Sequence, residues 1–364
     1  MLRKLEDDEE KPLVPPEQSD FDGQQLDLFR SFLCNNETER SRLSNAFDLW
    51  DSVPRYSVSR KEMDTIRKEK GFLDLLDIDF QYRGTALHAT IQPARIREKP
   101  DAPTKDYYPS ANEELIEDAL RKIAADQRNG YHNTSEKRSG VVFSLYMLKE
   151  ELKKRGHTRS YQQIVLSLNI LASSIIEIRS LDGKRGEGVT KSAYFSGLAA
   201  SSKYKLADDP ESKWIVQFHP LVTRAIDTLT YRQFNYAQMM SHKTQIARWL
   251  HKQLSLKFTF ASIVNPFEMR YSTIKRDSAM FDNYTRERKG LEDLNRAFDE
   301  LVTGGILCNY TKVQVLGLRG KVQDVIYTLH AHPDFCREIK AANKRENLAL
   351  EKIETESLTP KKKR

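Results

Sequence analysis

The sequence predicts an α+β protein in which one order of elements, helix, strand, helix, helix and β-hairpin, occurs twice. Three features predict this order. Apolar residues recur at helical spacing, short segments are rich in β-branched residues, and pairs of these segments are joined by basic turns that contain glycine. This is the winged-helix order, and two such domains fit a chain of 364 residues. An acidic, proline-containing segment without apolar period precedes them at residues 1–23, and we predict that this tail is disordered.

Pattern and composition place the domain boundaries. The predicted segments are a short motif with a linker, a first winged helix, a second winged helix, and a charged helix with a basic end, over residues 24–49, 50–230, 231–333 and 334–364. Apolar residues from Trp50 to Leu87 have no decisive period, so short strands and turns are expected there. The final helix, Pro333 to Leu350, and the KKKR end are expected to be solvated.

The first repeat starts at Ser110, which with Glu113 has the S-x-x-E form of a capping box and leads into an amphipathic helix. A strand, two helices and the two strands of a hairpin are predicted at Val141–Phe143, Leu145–Arg155, Tyr161–Ala172, Ile175–Ser180 and Ala193–Leu198. The two helices form a helix-turn-helix candidate. The hairpin turn is basic because it contains Lys184 and Arg185.

The second repeat follows the same order. Its predicted helix, strand, long helix and hairpin strands are Lys243–Leu256, Phe258–Phe260, Asn283–Val302, Ile306–Val315 and Val322–Leu329. A further helix is predicted to start at Asn265, because Pro266 follows at its first position and Glu268 at its third.

Cations cluster on the long helix of the second repeat. The second helix of a helix-turn-helix pair enters the major groove with its N-terminal part nearest the base edges. Leu291, Leu294, Phe298 and Leu301 mark its buried face. The predicted DNA contacts on the outer side of this helix are Thr285, Arg286, Arg288, Lys289 and Arg296. Those in the hairpin turn of the same repeat are Arg319 and Lys321. Such a cluster is also typical of a solvated face, but the element order and the basic turn favour DNA.

The corresponding helix of the first repeat is polar rather than basic. Its predicted DNA contacts are Arg159, Gln162 and Gln163, with Lys184 and Arg185 in the hairpin turn. Packing against a partner or a second subunit explains this helix equally well. We therefore expect base reading chiefly from the second repeat.

Overall composition is compatible with a protein that meets nucleic acid in the cytoplasm. The net charge is +7, and residues 1–20 contribute −4 of it, so the rest of the chain is basic. The same charge is common on ordinary soluble proteins. The three cysteines fit neither a disulfide framework nor a zinc site, and no apolar run or leader indicates a membrane or secretion.

Some DNA-nicking proteins hold a catalytic metal with alternating histidines. His330 and His332 have this spacing, but no tyrosine follows them and no acidic cluster lies near them in sequence. The sequence also has no P-loop and no dinucleotide fingerprint. We predict no catalysis, no metal and no cofactor.

A compact motif follows the acidic tail. It consists of Gln25, Leu26, Asp27, Leu28 and Phe29. Two leucines and a terminal aromatic would let an extended peptide anchor in an apolar groove of a partner. The residues alone are equally compatible with a strand or helix start that docks on the protein's own core.

QLDLF resembles the motif through which bacterial proteins bind the replicative sliding clamp. With FSLYMLKEELKKRG, YQQIVLSLNILASSIIEI and the second repeat, the chain resembles plasmid replication initiators of the TrfA type. The resemblance implies binding to double-stranded origin repeats called iterons, melting of adjacent AT-rich DNA, and recruitment of the host initiator, helicase and sliding clamp. It also implies a monomer–dimer equilibrium. The alternative is a winged-helix transcriptional regulator without a role in replication.

Overall fold

A computed structural model describes residues 41–99, 101–126, 129–181, 188–202, 206, 209–317 and 320–358. The architecture is mixed α/β. Its helices are α1 (Asp48–Ser52), α2 (Arg60–Lys70), α3 (Ala111–Asp126), α4 (Leu145–Lys154), α5 (Tyr161–Ser173), α6 (Pro220–Asp227), α7 (Tyr236–Ser241), α8 (Gln245–Lys257), α9 (Tyr271–Ser278), α10 (Glu287–Thr303) and α11 (Pro333–Leu358). In the described part of the chain no helix is long and apolar enough to span a bilayer.

The strands form antiparallel ribbons and sheets. They are β1 (Ser44–Phe47), β2 (Leu76–Tyr82), β3 (Thr85–Gln92), β4 (Ala94–Ile96), β5 (Lys105–Tyr107), β6 (Gly130–Asn133), β7 (Arg138–Ser144), β8 (Ile175–Ser180), β9 (Val189–Ala193), β10 (Phe195–Ser201), β11 (Lys213–Phe218), β12 (Tyr231–Phe234), β13 (Phe267–Arg270), β14 (Leu307–Leu316) and β15 (Val322–Ala331). Sheets run in the orders β2-β3-β8-β9, β10-β11-β7-β6 and β13-β15-β14.

Two hydrophobic cores divide the chain into a first unit, residues 44–241, and a second unit, residues 245–358. The first core runs from Ala46 to Met240 and also contains Ala279 at the end of α9, and β12 pairs with β1. The division between the cores therefore lies near residue 243, whereas the sequence placed it between residues 230 and 231. β1 likewise belongs to the first unit although the predicted domain began at residue 50.

The predicted helix pair of the first unit is confirmed as α4 and α5. Ser144 caps α4 by accepting a hydrogen bond from the Met147 backbone N–H at 3.2 Å. Gly156 follows α4 with a φ of +83°, which glycine adopts readily. Ser160 and Gln163 form a complete capping box at the start of α5. Local side-chain signals therefore determine where these helices start and end.

The first hairpin was predicted with the wrong returning strand. β9 pairs with β8, and Ile175 lies opposite Ala193. The segment from Phe195 instead forms β10, which pairs with β11 in another sheet. Tyr194 and Phe195 are buried, so the chain leaves the hairpin to enter the core at this point.

The region after Trp50 contains a helix where strands and turns were predicted. α2 starts at Ser59, whose hydroxyl accepts from the Glu62 backbone N–H while the Glu62 carboxylate accepts from the Ser59 backbone N–H. Only Met63 of this helix is buried. A helix with one buried residue shows little apolar period, and this explains the error.

Two predicted elements of the second unit are also wrong. Phe258 to Phe260 form a turn, in which the rings of Phe258 and Phe267 stack at 5.0 Å. Asn265 does not start a helix, because the following residues form β13 and pair with β15. Long-range strand pairing has overridden the local Asn-Pro start signal. The hairpin β14–β15 is confirmed, and α10 starts four residues later than predicted.

The C-terminal helix α11 is docked rather than solvated. Phe335, Cys336 and Ile339 are buried in the second core. Arg232 of β12 donates to the Glu346 carboxylate at 2.9 Å, and Asn235 donates to the Glu338 carboxylate at 2.7 Å. α11 therefore connects the second core with the β1–β12 ribbon of the first unit.

A buried ionic joint, defined by Lys252, Glu114, Asp118 and Gln245, connects α8 with α3. The Lys252 ammonium lies 2.6 Å from an Asp118 carboxylate oxygen and 3.2 Å from a Glu114 carboxylate oxygen. Gln245 donates to the other Glu114 oxygen at 3.0 Å. Burial lowers the pKa of Lys252, but the two carboxylates outweigh this effect and hold its pKa above the ordinary value, so the amine is charged.

A second buried cluster continues from the joint into the first unit. Arg121 and Arg55 donate to the Asp51 carboxylate at 2.9 Å and 3.0 Å. Glu117 accepts from Arg55 at 2.9 Å and from the Trp50 indole at 2.6 Å. Each charge thus has a partner, which a buried charge requires.

Candidate nucleic-acid interface

α9 and α10 form the helix pair of the second unit. Gly290 lets them approach closely, since a Cβ at this position would lie 2.4 Å from the Tyr271 hydroxyl and 3.2 Å from the Phe281 ring. The same Tyr271 hydroxyl donates to the Glu287 carboxylate at 2.7 Å, in the first turn of α10. Leu294, Phe298 and Leu301 are buried as predicted, and Leu291 is half-buried. The opposite face of α10 is therefore left to solvent.

The predicted contacts of α10 are exposed, and three of them form ion pairs along the helix. Arg288 pairs with Glu292 at 3.0 Å, and Lys289 pairs with Asp293 at 3.3 Å. Arg296 also pairs with Asp293. Exposed pairs of this kind contribute little to stability, so these cations can exchange their partners for phosphates at small cost.

Asp293 is the acidic centre of this face. It also accepts a hydrogen bond from the Tyr284 hydroxyl at 2.7 Å. Burial raises the pKa of its carboxyl, but hydrogen bonds from Tyr284, Arg296 and Lys289 outweigh burial and hold the pKa below the ordinary value. Asp293 is therefore charged at neutral pH and keeps Lys289 and Arg296 in place along α10.

Arg286 differs from these three cations. It is the N-cap residue of α10, and its extended backbone places it before the first helical turn. Its side chain is exposed and has no ion-pair partner among the described residues. Thr285 precedes it and is exposed as well. The predicted helix included both residues, whereas the structure places them at the helix entrance, where backbone N–H groups also point outward.

A groove of about 920 Å³ separates the start of α10 from α2. The α10 side contributes four of the predicted contacts, Thr285, Arg286, Arg288 and Lys289. The α2 side contributes Ser59, Lys61 and Thr65. The two units therefore line one groove together, which the sequence did not predict.

Lys61 is the residue at this groove that sequence reasoning missed. Its side chain is exposed and has no ion-pair partner in the described structure. The neighbouring Glu62 is part of the capping box of α2, in which its carboxylate accepts a hydrogen bond from the Ser59 backbone N–H at 2.7 Å. The Ser59-x-x-Glu62 capping box was the signal that could have revealed this helix. The α2 wall therefore carries one cation, Lys61, beside one carboxylate, Glu62, and the positive excess of the groove comes from the α10 wall, where Arg286, Arg288 and Lys289 face a single carboxylate, Glu292.

The hairpin of the second unit is fixed to α10. The Tyr327 hydroxyl donates to the Asn295 amide oxygen at 3.1 Å, and the Tyr310 hydroxyl donates to Asp299 at 3.0 Å. The Phe298 ring lies 4.8 Å from that of Tyr327. Among the predicted turn residues, Lys321 is exposed and Arg319 lies outside the described residues. The base of the hairpin and α10 therefore form one rigid surface.

The described predicted contacts of the first unit, Arg159, Gln162 and Gln163, do not line this groove. Arg159 donates to the Asn112 side-chain oxygen at 2.8 Å and 3.1 Å, which ties it to the start of α3. Gln163 is exposed, but its side-chain oxygen accepts from the Ser160 N–H at 3.0 Å. Gln162 is exposed. Lys184 and Arg185 lie outside the described residues.

The QLDLF motif and the two alternating histidines remain to be placed in the structure. Gln25 to Phe29 lie outside the described residues. His330 is in β15, and the His332 ring nitrogen accepts from the Asp334 N–H at 3.2 Å at the start of α11. Within the described ranges no group of histidine, cysteine and acidic side chains has the arrangement of a metal site.

Replacing Gly290 with Ala should lower the free energy of unfolding by about 1–3 kcal/mol, because the new methyl group would overlap the Tyr271 hydroxyl. The better helix propensity of alanine, about 1 kcal/mol, would offset only part of this loss. Urea denaturation measures the change. Tyr271→Phe in the same chain removes the overlapping oxygen and should restore stability, whereas a fully stable Gly290→Ala variant would contradict the close packing of α9 and α10.

No protein-family model matches the chain, and no curated protein matches it. A solved structure of selenomethionine derivatives of domains 2 and 3 of RctB is similar at 12% identity, with a TM-score of 0.49, over 82% of this chain and 99% of that one. The Pi initiator protein in complex with iteron DNA is similar at 12% identity, with a TM-score of 0.41, over 81% of this chain and 99% of that one. Likenesses of this degree assign no function to the chain.

Proposed function

We propose that this chain is a sequence-specific, double-stranded-DNA-binding replication initiator built from two winged-helix domains, the first and second units. The observation that carries the proposal is the cationic groove between α2 and α10. Its walls present the unpaired cations Lys61 and Arg286 at the entrance of the helix that winged-helix proteins use for DNA. The basic charge outside the acidic tail supports the same partner.

The two walls of the groove have different roles in this proposal. A major groove is about 12 Å wide and admits one helix, so α10 enters it and α2 meets the neighbouring phosphate backbone. Arg286 lies at the entrance of α10, where it reaches base edges. Lys61 contributes a phosphate contact, which positions the protein without reading sequence.

Lys61→Ala tests this division. Affinity should fall by a similar factor for the cognate repeat and for unrelated DNA, and the slope of log K against log salt should decrease by about 1. Fluorescence anisotropy over a salt series measures both quantities. Lys340→Ala, which removes an exposed cation of α11 outside the groove, is the matched control. An unchanged slope would remove α2 from the interface.

The step from DNA binding to replication depends on the QLDLF motif. Its resemblance to sliding-clamp ligands supports recruitment of the host clamp, and the wider resemblance to TrfA-type initiators supports iteron binding, origin opening and recruitment of host initiator and helicase. A monomer–dimer equilibrium belongs to the same proposal. A cytoplasmic, plasmid-associated protein without catalytic activity, metal or cofactor is consistent with these roles.

A peptide spanning residues 23–30 should bind bacterial sliding clamp, and the same peptide with Leu28→Ala and Phe29→Ala should not, because the apolar anchors are lost. Calorimetry measures the binding, and plasmid maintenance by the full-length variant reports the function. If the peptide does not bind and maintenance is intact, the recruitment role fails. The chain would then be a winged-helix transcriptional regulator.

A further inference from the structure

Both hairpins carry exposed aliphatic residues directly beside their turns. In the second unit Leu316 is 60% exposed before the turn, and Val322 is 47% exposed after it. These two residues face each other in the β14–β15 register. In the first unit Leu181 and Val189 are each 55% exposed near the turn, but they do not face each other, because Val189 lies opposite Arg179. The facing exposed aliphatic pair of the second hairpin suggests a surface for a partner.

The second hairpin combines this pair with uncompensated positive charge. Lys312 and Lys321 are exposed, and neither has an ion-pair partner among the described residues. The described acidic residue of the hairpin, Asp324, accepts from the Ser272 hydroxyl at 2.6 Å and lies 3.9 Å from the Arg270 guanidinium, so its ion pair is with β13 and not with these lysines. In the first hairpin Glu177 lies 3.0 Å from Lys191 and also pairs with Arg179, so both described cations share one carboxylate. The second hairpin is therefore the one whose described lysines have no ion-pair partner, which suits contact with a polyanion.

The position of the hairpin identifies the polyanion. Tyr327 and Tyr310 fix the strands to α10, so Leu316 and Val322 are held at a set position relative to the helix that enters the major groove under the proposed function. Minor-groove proteins insert aliphatic side chains between base steps and place cations beside the phosphates. An aliphatic pair flanked by lysines has this chemistry.

We propose that Leu316 and Val322 form an apolar wedge that enters a minor groove beside the α10 site and partly unstacks a base step. The wedge rests on the proposed function, because it requires that α10 binds duplex DNA. Unstacking is easiest at pyrimidine–purine steps such as TA, so the wedge favours AT-rich sequence next to the repeat. The hairpin thereby couples sequence recognition to local distortion of the duplex.

The experiment compares DNA distortion with DNA affinity. Full-length protein is bound to a duplex carrying its repeat, and unstacked thymines are detected with permanganate and with 2-aminopurine at successive positions. The Leu316→Ser, Val322→Ser double variant should reduce both signals to those of free DNA. The affinity of this variant for the repeat should change by less than about tenfold. The variant loses the apolar contact with the DNA, but it also avoids the energy cost of unstacking the base step.

Two matched variants make the result specific. Leu316→Ile with Val322→Ile keeps the apolar surface and should keep the distortion. Ile263→Ser with Val264→Ser removes an even more exposed aliphatic pair from the loop between α8 and β13 and should also leave the distortion unchanged. Rescue by the isoleucine pair would support an apolar contact rather than a general effect on the fold.

Three results would overturn the wedge. Undiminished distortion by the serine pair, at unchanged affinity, would remove the wedge and leave the proposed function intact. A change in sedimentation of the DNA-free protein, without a change in DNA distortion, would make the hairpin a contact between copies of the chain. Failure of the wild-type protein to bind any tandem repeat would remove the wedge and the proposed function together.

Discussion

Replacing Lys252 with Met should lower the free energy of unfolding by about 3–5 kcal/mol, because the carboxylates of Glu114 and Asp118 would remain buried without their shared cation. Methionine keeps the length and volume of the aliphatic chain, so the lost charge rather than a cavity causes the effect. Urea denaturation followed by tryptophan fluorescence measures it, since Trp50 and Trp249 are buried in the first and second cores.

Lys243→Met is the control for this substitution, because Lys243 is exposed and lies just before the same helix. It should change stability by less than about 0.5 kcal/mol. Adding Glu114→Gln and Asp118→Asn to Lys252→Met should recover much of the loss, since the uncompensated charges then disappear. A Lys252→Met variant as stable as the wild type would show that the ionic joint does not hold the units together.

Replacing Arg286 with Ala should weaken binding to the cognate repeat by about 1–3 kcal/mol, or about 5- to 150-fold, because a base contact is lost. Lys289→Ala should have an effect in the same range. Arg286 should be the more selective of the two, because it has no internal partner whereas Lys289 pairs with Asp293. Competition between cognate and scrambled duplexes measures selectivity.

The Arg286 variant requires a fold control and a charge control. Unfolding by urea should be unchanged, because the side chain is exposed and makes no described ion pair. Lys340→Ala should bind like the wild type, because this exposed cation of α11 does not line the groove. If Arg286→Ala and Lys289→Ala both keep wild-type affinity and sequence preference, α10 is not the recognition helix.

Local sequence signals predicted much of the fold. α4 and α5 were predictable because Ser144 and Ser160 cap them and their buried residues recur at helical spacing. The β14–β15 hairpin was predictable because its β-branched strands are joined by a glycine-containing turn. These features depend on residues close together in the chain.

The errors arose where distant residues decide the structure. Asn265 and Pro266 have the form of a helix start, but pairing with β15 makes the next residues a strand. Glu114 and Asp118 would be read from sequence as a solvated face of an amphipathic helix, yet α8 covers them and supplies Lys252. Lys252 follows both carboxylates by more than a hundred residues, so no local sequence pattern could reveal this ion pair.

The candidate site was predictable only where its residues are close together in the chain. The sequence identified Arg286, Arg288 and Lys289 because they are consecutive or nearly so at the start of one helix. It could not place Lys61 opposite them, since α2 belongs to the other unit. It also could not show that Arg159 is engaged with Asn112. Composition reveals which side chains suit DNA, whereas packing determines which of them remain available.

In the proposed complex both units of one chain contact one repeat, with α10 in the major groove. Hydroxyl-radical footprinting of the full chain on a tandem repeat from DNA beside its gene tests this arrangement. We expect two neighbouring protected backbone segments, one on each edge of a single major groove, because α2 and α10 line the same groove of the protein. The segment nearest α10 should weaken in Arg286→Ala. A single protected segment, insensitive to Arg286→Ala, would contradict the claim.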